Sequence, residues 1–134
     1  MITKEPAVDL GLRMVPYERF DAWKAAHHLA LQVYKVTDAW PPHEKYGLTI
    51  QIRRAALSAP TNIAEGSAKR GSRELRRYLD IALGSLSEVS YLLRFTRDRG
   101  ILPEAEFKAL DDLRDQAGKL TWRFYSSLNK SLAS

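Results

Sequence analysis

The segment from Ser72 to Arg99 places Leu75, Tyr78, Leu79, Ala82, Leu83, Leu86, Val89 and Leu93 at steps of three and four residues. On a helix of 3.6 residues per turn such spacing draws one apolar stripe, and a strand would scatter it over both faces. Gly66 and Gly71 can take positive φ before this segment, Ser72 is placed to cap it, and Gly100 suits the C′ position that ends it. A long one-sided helix needs a partner surface, so the rest of the chain has to supply one.

Three further segments carry the same period. Phe20, Trp23, Ala26, His27, Ala30, Leu31 and Tyr34 predict a first helix over about Arg19 to Ala39, stopped by Pro41-Pro42. Leu48, Ile52, Ala55, Ala56, Ala59 and Ile63 predict a second, from Glu44 or Tyr46 to Gly66. Pro60 inside it removes one hydrogen bond and crowds the Ala56 carbonyl, which predicts a bend; the competing reading starts a separate short helix there. Pro103 at the first helical position, with Glu104 and Glu106 in the first turn, opens a fourth. Its stripe is Phe107, Leu110, Leu113, Ala117, Leu120, Phe124 and Leu128. No segment alternates with period two. The expected fold is all-α, an antiparallel up-and-down four-helix bundle over residues 18–130, after an N-terminal tail over 1–17.

A chain of 134 residues with 45% hydrophobic and 28% charged side chains is one ordinary globular domain. It has no cysteine, hence no disulfide or thiolate chemistry, which suits a reducing cytoplasm. No apolar run approaches the roughly 18–20 residues that span a bilayer. Trp23, Tyr34, Trp40, Tyr46, Tyr78, Tyr91, Phe95, Trp122, Phe124 and Tyr125 exceed what one thin core uses. Either most of them are core, or an outward-facing surplus serves self-association.

Catalytic patterns are missing. His27 and His28 are adjacent and point about 100° apart on a helix, and His43 beside Glu44 lacks a third ligand, so no metal site is expected. Gly84-Ser85-Leu86-Ser87 lies mid-helix, where a small residue serves close packing, and there is no phosphate-cradling glycine loop. Glu65 is the best carboxylate for acid–base work, but four residues before Lys69 it suits an ion pair or hydrogen bond better. No enzyme activity and no cofactor are expected.

The net charge of +5 is unevenly placed. Residues 1–40 and 100–134 each balance five basic against five acidic side chains, whereas residues 67–99 hold eight against four. Lys69, Arg70, Arg73, Arg76 and Arg77 crowd into nine residues with Glu74 as the one acid among them. Arg73, Arg76 and Arg77 share a helical face, and Arg53 and Arg54 could extend it. Guanidinium forks match phosphate, and clustered cations bind nucleic acid by releasing its counterions. The competing readings are a solvated face paired to carboxylates such as Asp80, or an ion-pair network between subunits.

The stretch PHEKYGLTIQIRRAALSAPTNIAEGSAKR, Pro42 to Arg70, and YLDIALGSLSEV, Tyr78 to Val89, closely resemble the four-helix bundle family of 23S rRNA intervening-sequence proteins. The diversity-generating-retroelement accessory protein Avd looks like a relative. The resemblance runs from about Phe20 to Ser127, with Trp23, Ala26 and His27 fitting the first helix. It implies a ring-like homopentamer with a basic surface for RNA or DNA and no catalytic activity. Arg53, Arg54, Asn62, Glu65, Gly66, Gly84 and Ser85 match the family's recurring positions. For Asn62, Glu65 and Gly66 the favoured role is structural, closing the second helix and holding the following turn, and the competing reading is a functional site on that turn. Two functions follow: an oligomeric nucleic-acid-binding module, or an assembly protein whose basic ring docks an acidic protein partner.

Overall fold

A computed structural model describes residues 15–133, the side chains as far as Leu128. The chain forms α1 (Asp21–Thr37), α2 (Ile50–Ser67), α3 (Ser72–Asp98) and α4 (Glu104–Ala133), with no strand among the described residues. Each helix packs on its neighbours around a ring: α1 on α2 and α4, α3 on α2 and α4. That is the up-and-down arrangement short connections favour. Of the expected tail, residues 1–14 lie outside the described residues. Pro16 opens a 3₁₀ turn, Pro16–Arg19, and the Tyr17 ring leans on Trp23 at 4.6 Å.

The α2, α3 and α4 stripes face inward largely as their spacing requires. Ile52, Ala56, Ala59 and Ile63 of α2 meet Leu79, Ala82, Val89 and Leu93 of α3, with Leu110 and Ala117 from α4. Removing each large aliphatic chain from water contributes about 1.5–3 kcal/mol. The alanines bring α2 close to its neighbours. Gly66 does this most sharply: a Cβ there would lie 2.6 Å from Tyr78 Cβ and 3.1 Å from Leu75 Cδ1.

The α1 stripe is a correction. Ala22, Ala26, Leu29, Ala30, Val33 and Thr37 are buried, whereas His27, Leu31 and Tyr34 are exposed. The bulky rings flank the core and its small residues enter it. Trp23 stacks on His27 at 4.7 Å, and Tyr34 carries the guanidinium of Arg53 at 4.6 Å.

The helix boundaries also move. After Pro42 the chain makes a 3₁₀ turn, Pro42–Glu44, then a wide turn, Lys45–Thr49, in which Gly47 leaves helical dihedrals. The second helix therefore starts at Ile50. It continues unbroken through Pro60, so no separate short helix begins there. Ser72 is the first residue of α3 and not its cap. The capping position belongs to Gly71 at φ +87°, whose carbonyl accepts from Leu75 N–H at 3.4 Å. At the other end Gly100, φ +79°, turns the chain out as expected. Pro103 stands just before α4, its carbonyl accepting from Phe107 N–H at 2.9 Å.

Candidate nucleic-acid interface

The α2–α3 turn and the first turns of α3 gather the cations that the sequence crowds together. Lys69, Arg70, Arg73 and Arg77 are exposed and Arg76 is half-buried. Arg73, Glu74, Arg76, Arg77, Asp80 and, from α4, Tyr125 line a shallow groove of about 350 Å³. Aromatic rings hold the cations in place. Arg77 lies over Tyr78 at 4.7 Å with Lys69 5.6 Å from the same ring, and Arg76 lies over Tyr125 at 5.0 Å. A guanidinium stacked on a ring keeps its N–H groups free in the ring plane for an anion.

Compensation by acids is incomplete here. Arg77 donates to the Glu74 carboxylate at 3.3 Å, and that hydrogen bond raises its pKa above the ordinary value. Among the described residues, Lys69, Arg70, Arg73 and Arg76 have no carboxylate within 4.0 Å. Asp80 lies in the groove without pairing to any of them. Along the middle of α4 the charges cancel locally: Lys108 meets Asp112 at 3.3 Å, Arg114 meets Asp111 at 2.7 Å, and Lys119 meets Asp115 at 3.0 Å. The Lys119 hydrogen bond holds the Asp115 carboxyl below its ordinary value.

The other two arginines do not join the cluster. Arg53 turns to α1, where Nε donates to the Thr37 hydroxyl at 2.7 Å and Nη2 to the Asp38 carboxylate at 2.8 Å. Arg54 is exposed but sits mid-bundle, in a separate groove of about 460 Å³ with Tyr46, Gln51, Ser58 and Glu88. Twelve residues of helix separate it from Gly66, about 18 Å.

Near the turn, Asn62 and Gly66 make structural contacts. Asn62 Nδ2 donates to the Ser58 carbonyl at 2.8 Å and lies 3.0 Å from its hydroxyl, which itself meets Ser85 Oγ at 2.8 Å across to α3. Glu65 is exposed and, among the described residues, makes neither the expected ion pair nor a side-chain hydrogen bond. Gly84 has open space around its Cβ position, so the close helix approach belongs to Gly66. Among the described residues no three His, Cys, Asp or Glu side chains are grouped to hold a metal ion, and no helix is long and apolar enough to cross a membrane.

Sequence reasoning missed Tyr125 and Trp122 as members of this end of the molecule. Trp122 is exposed and stacks on Tyr125 at 5.5 Å, with 22° between the rings. Only the antiparallel register of α3 and α4 brings that pair beside Arg76.

Fold and surface together define a small antiparallel helical bundle with a weakly compensated basic end. The chain belongs to the 23S rRNA-intervening sequence protein family, whose model matches residues 18–123. A crystal structure of a protein of unknown function from the S23 ribosomal protein family of Bacteroides thetaiotaomicron is similar to it, with a TM-score of 0.70. The two are 18% identical over 78% of this chain and 97% of that one, a likeness of fold. No curated protein matches the chain.

Proposed function

We propose that this protein is a non-catalytic, oligomeric nucleic-acid-binding module of the cytoplasm that grips phosphates with the α2–α3 end of its bundle. The observation that carries this reading is the run Lys69, Arg70, Arg73 and Arg76, without a carboxylate partner among the described residues, beside balanced charge along the middle of α4. Unpaired cations gathered on the start of a helix and the turn before it suit phosphate recognition, and they carry no base preference by themselves. Arg53 is left out of this surface and Arg54 contributes at most from its flank.

Self-association is part of the same proposal. Ile81, Tyr91 and Phe95 of α3 and Leu57 of α2 are exposed. On α3 these residues run with Gly84 and Glu88 along one line, at steps of three and four, on a face directed away from the core. A second copy is a natural cover for it, and the family resemblance implies a homopentamer.

The experiment is fluorescence anisotropy with mixed-sequence RNA and DNA across a salt series. The proposal expects log affinity to fall linearly with log salt and unrelated polynucleotides to compete. Absence of polynucleotide binding, with capture of an acidic protein that survives heparin, would replace it with the docking role.

A further inference from the structure

We infer that the basic end takes a single strand in preference to a duplex, with unpaired bases stacking on Trp122 while Arg73 and Arg77 hold the phosphates; this rests on the nucleic-acid reading above. Trp122 leaves 57% of its surface in water, although it is one of the largest apolar side chains available to a core. Its ring is nonetheless held in place, since it lies nearly parallel to Tyr125 at 5.5 Å. Tyr125 in turn carries Arg76, whose Nε is buried without a hydrogen-bond partner, so the ring contact orients this guanidinium. A guanidinium and two nearly parallel aromatic rings thus follow one another across the α3–α4 seam, beside the free cation of Arg73.

Such a sequence of planes suits flat, unpaired bases. In a duplex the base faces are already stacked on each other and cannot reach a protein ring, whereas a single strand offers each face freely. The groove's two acids favour the same ligand. Glu74 and Asp80 lie among the arginines and would repel one of a duplex's two phosphate rows. A single strand can place its phosphates at Arg73 and Arg77 and turn the N–H donors on the unpaired edges of its bases to Asp80. Stacking needs only a π-face, so pyrimidine and purine strands, RNA or DNA, all qualify.

The test uses the full chain, labelled uniform-pyrimidine RNA and DNA strands, and mixed-sequence duplexes of the same length, compared by anisotropy at one salt concentration. The strands bind at least about ten-fold more tightly than the duplexes. Trp122→Ala weakens strand binding by about 5- to 150-fold. It leaves duplex binding and helix content unchanged, and Trp122→Phe recovers part of the loss. Strand binding also quenches tryptophan fluorescence in the parent far more than in Trp122→Phe, because Trp40 is buried and Trp23 is half-buried and already stacked on His27. Equal binding of strand and duplex, an unaltered strand affinity in Trp122→Ala, or a fall in its light-scattering mass would each overturn the inference. If Arg73→Gln/Arg77→Gln then still weakens strand and duplex alike, the basic-surface reading survives that failure. If no nucleic acid binds the parent, both fall.

Discussion

The Nε of Arg53 donates to the hydroxyl of Thr37 at 2.7 Å, and that hydroxyl hydrogen-bonds the carbonyl of Val33 at 2.8 Å, so one side chain ties α2 to the end of α1. The same guanidinium meets the Tyr34 carbonyl at 3.2 Å and the Asp38 carboxylate at 2.8 Å. Cations are favoured at a helix C-terminus, where backbone carbonyls are left without partners. Its neighbour Arg54 points about 100° away and makes none of these contacts.

Arg53→Gln should therefore lower stability by about 1–3 kcal/mol in chemical denaturation, because the Thr37 hydroxyl, the Tyr34 carbonyl and the Asp38 carboxylate lose a charged donor. Arg54→Gln should stay within about 0.5 kcal/mol of the parent. RNA affinity of folded Arg53→Gln should match the parent. Equal stability of the two variants would show that the clamp on α1 contributes nothing.

Gly66 makes a second stability prediction. A methyl group there meets Tyr78 Cβ at 2.6 Å, and a Cβ is fixed to the backbone and cannot swing aside. Gly66→Ala should gain the usual helix propensity of alanine and still lose about 1–3 kcal/mol through forced separation of α2 and α3. A thermal melt at or above the parent midpoint would contradict this packing.

Much of this was legible in the chain because apolar spacing is set by helix geometry, as the α3 stripe from Leu75 to Leu93 shows. The α1 face was misjudged because Trp23, His27 and Tyr34 are amphipathic rings that pack at the rim, and a stripe drawn through them passes beside Leu29 and Val33, which fill the core. Arg53 and Arg54 looked alike in sequence, and only helix rotation against Thr37 tells them apart. The aromatic side of the basic end depends on packing between α3 and α4 that no local pattern encodes. Glycines misled in one case: Gly84 resembles a close-packing position but faces open space, whereas Gly66 is where the helices meet.

The open position of Gly84 allows a test of assembly. It lies on the α3 line between Ile81 and Tyr91, so an arginine there leaves the folded chain intact but meets any copy covering that face. Gly84→Arg should keep its helix content by circular dichroism and lose mass in light scattering, from a homopentamer toward a monomer. A parent that is already monomeric, or a variant with undiminished mass, would place self-association elsewhere or nowhere.

Phosphate binding at the α2–α3 end is read from the salt dependence of affinity. Arg73 and Arg77 are the arginines to change, since both are exposed, whereas Arg76 also packs on Tyr125. Glutamine keeps their length and helix propensity, and the surface pair of Arg77 with Glu74 is typically worth under about 1 kcal/mol. Arg73→Gln/Arg77→Gln should fold as the parent does and bind RNA and DNA more weakly at every sequence. The slope of log affinity against log salt should shrink by about 0.7–0.9 for each phosphate that the variant no longer neutralises. A parent-like affinity and slope in this variant would show that phosphate is not held at the α2–α3 end.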